Sequence, residues 1–317
     1  MAVMKIGSNS DYREEILEIV DEIEFEKIID HPNILIAAGF WERDRYLAAK
    51  VCYKFMRMID DLIDNRKASD KKITPAEKKM LSEKVNTWIN YLSCAPSNDP
   101  FVKELIETIT RFKIPMELFR NFARSMHFDI DHNGFASFDE FLAYSEGASV
   151  APASVFVHLC CLSKADDGFH LPPFDVIEVA RPCAIFSYIV HIIRDFQKDQ
   201  WNNLNYFAND ILNRYNLKPA DLREIADGSN IPYSFREVIG EYYSCAQYWA
   251  VKTFQVLETI SSRINGRYML SLQIIFSLYQ QVFERIDIKN GLFTKEELNP
   301  TPEEIKQKVL EIIKMHS

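Results

Sequence analysis

The run Arg57-Met58-Ile59-Asp60-Asp61-Leu62-Ile63-Asp64 packs three carboxylates and a guanidinium into a short stretch. Read as helix, Arg57, Asp60, Asp61 and Asp64 fall at i, i+3, i+4 and i+7 on one face, and Met58, Ile59, Leu62 and Ile63 take the other. Asp60 and Asp64 then stand roughly 6 Å apart along the axis, where carboxylates repel one another unless a cation lies between them. A hard divalent ion, Mg2+ above all, takes one or two carboxylates and fills its shell with water and phosphate oxygens. The bland alternative is a solvated acidic face with an Arg57–Asp61 pair, and this run alone does not exclude it.

A second run shifts the balance. His191-Ile192-Ile193-Arg194-Asp195-Phe196-Gln197-Lys198-Asp199 again sets two Asp at i and i+4 with Arg beside the first. The helix leading into it is apolar around its circumference (Ala184, Ile185, Phe186, Ile189, Val190, Ile192, Ile193), the pattern of a buried helix and not of a solvated face. Two Arg/Asp clusters on separate buried helices fit the walls of one Mg2+–diphosphate site. On a continuous helix His191, Asp195 and Asp199 form one line, so His191 is expected to face the same cavity. Because hard cations select oxygen, its partner there is expected to be diphosphate or a metal-bound water.

The elements that must position these clusters are helical. The chain has 317 residues, 47% hydrophobic and 13% aromatic, with only 9 Gly and no repeat or Gly/Ser-rich linker, which favours one domain over residues 1–317. A first helix is predicted from Ser10 or Asp11 to about Ile29, and a second from Ile34 to Ala38 and Trp41 to Asn65. Arg66–Lys72 is read as a mobile polar flap. Thr74-Pro75, Asp99-Pro100 and Ile114-Pro115 open further helices with Pro at a tolerated first-turn position. Helices are also predicted over Phe138–Leu162, kinked at Pro152, and over Phe174–Asp199, kinked at Pro182. Asp166–Pro173 reads as a loop and Trp201–Asn216 as irregular. Others span about Ser234–Ser262, Asn265–Ile286 and Thr301–Met315, and no stretch alternates long enough to predict a strand. The expected class is all-α.

The net charge of −9 disfavours nucleic acid or an anionic membrane as the main partner. Cys52, Cys94, Cys160, Cys161, Cys183 and Cys245 show no zinc-type or C-x-x-C spacing, so buried free thiols in a reducing compartment are expected. The first residues are too polar for a signal peptide, and no apolar run approaches 18 residues without interruption. Together these read as a soluble, cytoplasmic protein. Asp129-Ile130-Asp131-His132-Asn133-Gly134 with Glu140 matches a calcium-loop pattern in full. Ala136 stands where such loops carry a β-branched apolar residue, no second loop exists, and Ser137-x-x-Glu140 doubles as a helix capping box. The loop is therefore expected not to be a calcium site.

The segments Tyr53-Lys54-Phe55-Met56-Arg57-Met58-Ile59-Asp60-Asp61-Leu62-Ile63-Asp64 and Arg194-Asp195-Phe196-Gln197-Lys198-Asp199 resemble the two signature motifs of squalene and phytoene synthases. Tyr144 fits the Tyr that opens that family's central helix, and His158 fits a His-Leu near its end. The resemblance runs from about Ile34 to Ile286. It implies a single helical bundle of the class I terpenoid synthase type around a central cavity, and head-to-head joining of two prenyl diphosphates, farnesyl or geranylgeranyl. The product would be of squalene, dehydrosqualene or phytoene type, with diphosphate released. It further implies that Asp60, Asp64, Asp195 and Asp199 hold Mg2+, that Arg57 and Arg194 neutralise diphosphate, and that Tyr53, Tyr144 and Phe186 are candidates to face the allylic cation. Tyr279 resembles a late-helix Tyr that reaches diphosphate, and Tyr206 persists after the second motif as a substrate contact. For Phe186 plain core packing is the stronger reading. Release of an apolar product would involve peripheral contact with a membrane. NADPH is compatible with the resemblance, although no nucleotide-binding fingerprint is present.

The sequence departs from that pattern in four places. His31-Pro32-Asn33-Ile34 stands in place of a Ser-Phe segment, and Ser149-Val150-Ala151-Pro152-Ala153 replaces small residues with Gly. Tyr188 and His191 occupy the positions of Gln and Asn, and Asn203-Leu204-Asn205 those of a late Arg. These changes bear on chain length, product and reduction, and leave the ionising residues in place. Competing readings are a chain-elongating synthase or terpene cyclase, whose second motif differs from this one, and a non-catalytic scaffold relative, which would have lost its Asp motifs. A calcium-regulated binder is a more distant alternative.

Overall fold

The computed structural model describes residues 10–25, 33–69, 72–94, 98–166, 168–228 and 230–316. Chain order begins with α1 (Ser10–Glu22), α2 (Asn33–Ala38), α3 (Arg43–Lys67), α4 (Pro75–Cys94), α5 (Pro100–Arg111) and α6 (Met116–Asp131). It continues with α7 (Phe138–Ser145), α8 (Ala151–Cys161), α9 (Val176–Arg194), α10 (Phe196–Trp201), α11 (Asn209–Arg214) and α12 (Pro219–Asp227). The last are α13 (Tyr233–Ile260), α14 (Gly266–Phe283), α15 (Lys295–Leu298) and α16 (Pro302–His316). The architecture is all-α. Its one sheet among the described residues is a small antiparallel hairpin of β1 (Ser163–Ala165) and β2 (Gly168–His170), where a loop was expected.

Long helices cross because each has an apolar stripe to hide. In α3, Cys52, Phe55, Met56, Ile59 and Ile63 are buried against α5, α6 and α8. Burying a Phe or Ile side chain contributes about 1.5–3 kcal/mol each. Helix α9 is apolar all round and packs on α8, α13 and α14, with Ile185, Phe186, Ile189, Val190, Ile192 and Ile193 in the core. By length and composition it is the one helix among the described residues apolar enough to cross a membrane. Pro182 stands inside α9 without ending it.

Four expectations change at helix ends. The predicted first helix stops at Glu22; residues 26–32, which include its last predicted turn and His31-Pro32, lie outside the described residues. Helix α3 runs on to Lys67, so Arg66 is not in a flap: its guanidinium bonds Glu77 of α4 at 3.0 and 2.8 Å. The predicted helix Phe138–Leu162 is interrupted by a π-helical turn at Glu146–Val150, and the Ala151 N–H reaches back to the Glu146 carbonyl. Pro152, having no N–H, follows that turn at the start of α8, where a missing donor costs least. The turn is pressed against α6: a Cβ on Gly147 would come within 2.2 Å of the Asn121 carbonyl and the Ser125 hydroxyl. Ser125 Oγ in turn donates to the Tyr144 carbonyl at 2.7 Å.

The fourth change lies at the second acidic motif. Asp195 leaves helical geometry (φ −94°, ψ 8°), so α9 ends at Arg194 and α10 begins at Phe196. The bonds Asp195 N–H to His191 O and Asp199 N–H to Asp195 O, both 2.9 Å, carry the line of His191, Asp195 and Asp199 across the break.

The calcium-like segment has a structural task. Gly134, at φ 102°, adopts a conformation that favours glycine, and a Cβ there would meet the Asn205 amide at 2.8 Å. Phe135 and Ala136 carbonyls accept from Asn209 and Asp210 N–H at 2.9 and 3.2 Å, pinning the irregular stretch after the second motif. Ser137 caps α7 by accepting from Glu140 N–H, and the Glu140 carboxylate accepts from Ala136 N–H. Asp131 pairs with Lys78 at 3.4 Å.

Candidate active site

The two acidic motifs open onto one cavity of about 530 Å3. Helix α3 contributes Tyr53, Arg57, Asp60, Asp61 and Asp64 to its lining, and the α9–α10 junction contributes Tyr188, His191, Arg194, Asp195, Lys198 and Asp199. Tyr144, Tyr206 and Tyr279 complete the predicted set on the other walls. Phe186 does not belong to it. Its ring is fully buried among Phe276 and Phe283, with centroids 5.4 and 5.5 Å away, and it lines no part of the cavity. It stands five residues before His191 on an all-apolar helix, where periodicity cannot tell a cavity wall from the core. His158 is also buried, against the Phe112 carbonyl at 2.9 Å.

On the first wall, Arg57 pairs with Asp60 at 3.1 Å and with Asp61 at 2.5 Å. Burial pushes the Asp60 carboxyl up to about 8, and the charge of Asp64 adds to it. Burial and the neighbouring Asp129 push Asp64 up to about 6, against the opposing pull of Lys67 and Arg57. Asp60 lines the cavity and keeps 30% of its side-chain surface open. Metal-free, the wall is an array of carboxylates short of positive charge.

The second wall differs. Burial alone would raise Asp195, but His191 and Arg194 overcome it and hold the carboxyl well below the usual range. His191 Nε2 lies 3.0 Å from Asp195 Oδ2, and Arg194 grips both Asp195 oxygens at 2.7 and 2.9 Å. Arg194 also lies 3.2 Å from His191 Nδ1. Asp199 has no such partners. Burial and the charges of Asp195 and Asp64 raise it well above the usual range, and its Oδ2 is buried with no hydrogen-bond partner. A buried carboxylate oxygen without a partner costs free energy that a bound cation would remove. Among the described residues no three His, Cys, Asp or Glu converge to enclose a metal unaided. Mg2+ at phosphate sites needs only one or two carboxylates beside phosphate and water oxygens, which is what each wall offers.

Aromatic rings form the flank beside the first wall. Tyr188 lies 6.3 Å, centroid to centroid, from Tyr144 and 6.1 Å from Tyr206. Burial raises the phenol pKa of all three well above the usual value, so they stay protonated. Burial also raises Tyr53 and Tyr279. Met56, Phe122, Ala148, Pro152 and Ile192 supply apolar lining.

Several lining residues were not singled out from the sequence. Lys198 sits within the quoted second motif between its two Asp, and that position was its only signal. Lys295 and Asn299 come from the α15 segment, Asn65 and Asn202 from the ends of the two acidic helices. No spacing ties residue 295 to residue 60, so only the fold could bring them together.

Comparison with known proteins places this arrangement. Residues 33–302 match the squalene/phytoene synthase family. Phytoene synthases of Mycobacterium bovis and Mycobacterium tuberculosis are 26% identical over 179 residues, which is 56% of this chain and 53% of each relative. The match thus spans about half the length of those relatives. A dehydrosqualene synthase in complex with ligand superposes with a TM-score of 0.65 at 14% identity, covering 96% of this chain and 98% of its own. A squalene synthase of Alicyclobacillus acidocaldarius does so with 0.61 at 14% identity, covering 92% and 95%. With one family matched over most of its length and one fold shared end to end, this chain belongs to the squalene/phytoene synthase family.

Proposed function

We propose that the protein is a Mg2+-dependent head-to-head prenyltransferase that condenses two farnesyl or geranylgeranyl diphosphates to a squalene-, dehydrosqualene- or phytoene-type product and releases diphosphate. The observation that carries this reading is the meeting of both Arg/Asp motifs across one cavity with aromatic and apolar flanks. Asp60, Asp64, Asp195 and Asp199 would hold the metal, which when bound supplies positive charge to the departing diphosphate. Arg57 and Arg194 lie beside those carboxylates, where their guanidinium groups can neutralise diphosphate oxygens. His191, already bonded to Asp195, is positioned to meet a diphosphate oxygen or a water at the same wall. The Tyr144, Tyr188 and Tyr206 rings offer π faces to an allylic cation, and Tyr53 and Tyr279 extend the aromatic lining. Met56, Phe122, Pro152 and Ile192 would keep water from the prenyl chain. Buried free thiols at Cys52, Cys160 and Cys161 support a cytoplasmic setting.

The test is incubation of purified protein with farnesyl or geranylgeranyl diphosphate and Mg2+, with and without NADPH, and mass analysis of the product. A hydrocarbon of twice the substrate's carbon number is expected. A longer prenyl diphosphate, a cyclic terpene, or no diphosphate release would overturn the reading.

A further inference from the structure

Behind the first acidic wall lies a buried ion pair that lines no part of the cavity. Asp129, near the end of α6, is 6% exposed, and both of its oxygens are engaged. Oδ1 accepts from Lys67 Nζ at 2.8 Å, and Oδ2 accepts from the Tyr144 hydroxyl. The Lys67 side chain is equally covered, at 8%. Lys67 ends α3 one turn after Asp64, and Tyr144 precedes the π-helical turn, so the trio ties three elements together at the edge of the site.

As a fold brace this trio is poorly placed. Withdrawing two charges from water is expensive, and a well-packed apolar group of similar volume often does as well or better. Asp129 also adds negative charge beside Asp60 and Asp64, which already repel each other. What the trio does supply is direction. With its proton committed to Asp129, the Tyr144 hydroxyl cannot donate into the cavity, and the phenol is held by a charge-assisted bond that fixes its ring. Tyr188, whose ring centroid lies 6.3 Å from that of Tyr144, packs beside the ring so fixed.

We propose that Asp129, charge-balanced by Lys67, is a positioning residue that sets Tyr144 against the reacting end of the prenyl chain. The proposal rests on the prenyltransferase reading above. It also accounts for the first residue of the calcium-like pattern without a metal, since neither oxygen of Asp129 is available to one.

The experiment measures diphosphate release by the full chain for Asp129→Leu, Asp129→Asn, Tyr144→Phe and the combined variants. The readouts are kcat and KM for the prenyl diphosphate at saturating Mg2+, with circular dichroism and the thermal midpoint as folding controls. Misplacing one reacting group can cost about 100-fold in rate, so Asp129→Leu should lose about that in kcat at saturating Mg2+, with KM within about twofold. Asp129→Asn keeps an acceptor for Tyr144 and should recover most of the loss. In the Tyr144→Phe background neither change should lower kcat further, because coupled residues are not additive. A full loss from Asp129→Leu in that background, or a thermal midpoint that falls while kcat holds, would overturn the proposal. If Asp129→Leu does not fold, the Asp129→Asn and Tyr144→Phe cycle decides by the same criterion. Wild-type protein that releases no diphosphate from either substrate would overturn the prenyltransferase reading and this proposal with it.

Discussion

On the α3 side of the cavity, Asp60 and Asp64 have one arginine that divides itself between Asp60 and Asp61, and burial pushes them up to about 8 and about 6. On the α9–α10 side, Asp195 is clamped by Arg194 and His191 and held well below the usual range, while Asp199 keeps one oxygen buried without a partner. Two similar sequence motifs have thus become one strained wall and one half-settled wall. The difference follows from local geometry. Arg57 reaches its carboxylates from three and four residues away along an exposed face, whereas Arg194 lies next to Asp195 at a helix end and can grip it with two bonds. The strained wall is where a cation would change most, and the clamped wall is where charge is already in place.

The largest expected effects come from breaking either wall. Asp60→Asn or Asp195→Asn should lower the rate of diphosphate release by about 100- to 1,000-fold, the scale on which a preorganised electrostatic group acts. Circular dichroism should show the helices intact. A variant of either that kept wild-type turnover would separate that wall from the chemistry.

Stability against pH sharpens the contrast. Asp60 and Asp64 bind protons more tightly in the folded chain than at their ordinary value of 3.8. Their contribution to the metal-free protein is therefore full below about pH 4 and is lost as pH rises through about 6 and about 8. Asp195 has the opposite sign: its contribution is present above the usual carboxylate range and is lost as pH falls. Without Mg2+, Asp60→Asn should match wild type in thermal midpoint below about pH 4 and exceed it at about pH 9. A gain of about 2–4 °C at the higher pH would correspond to roughly 1 kcal/mol. Identical midpoints at both pH values would remove the strain assigned to the first wall.

Phe186 probes the boundary between wall and core. Phe186→Leu should cost about 1 kcal/mol of stability and leave KM and kcat unchanged, because its ring meets Phe276 and Phe283 and not the cavity. A changed product or KM with unchanged stability would return it to the site. The smallest expected signal is at the calcium-like loop. Calorimetry should find no Ca2+ binding there tighter than about millimolar, and micromolar binding lost in Asp131→Ala would contradict the structural role of that segment.

Much of this was legible from spacing. The two acidic runs, their helical setting and the all-α class follow from period and residue type, since a helix places i, i+3, i+4 and i+7 together wherever it lies; Tyr53, Tyr144, Tyr206 and Tyr279 rest on the family resemblance alone. The break at Asp195 was not legible, because the Arg194–Asp199 run holds no Gly or Pro that would mark one. Nor was the π-helical turn before Pro152, which depends on how closely Gly147 approaches α6. The small hairpin at Ser163–His170 is too short to show a period of two. Lys295 and Asn299 reach the cavity only through the path of the chain, and the same is true of Lys67 and Tyr144 on the two oxygens of Asp129, which the sequence marked only as the first position of a calcium-like pattern expected not to bind metal.

The central claim is that the strained wall and the clamped wall hold one ligand between them. Titration calorimetry of inorganic diphosphate tests it most directly, with and without Mg2+, on wild type and on Asp64→Asn and Asp199→Asn, one from each wall. The account predicts Mg2+-dependent binding in wild type that either single substitution removes. Diphosphate binding that needs no Mg2+, or that survives unchanged in Asp199→Asn, would contradict it.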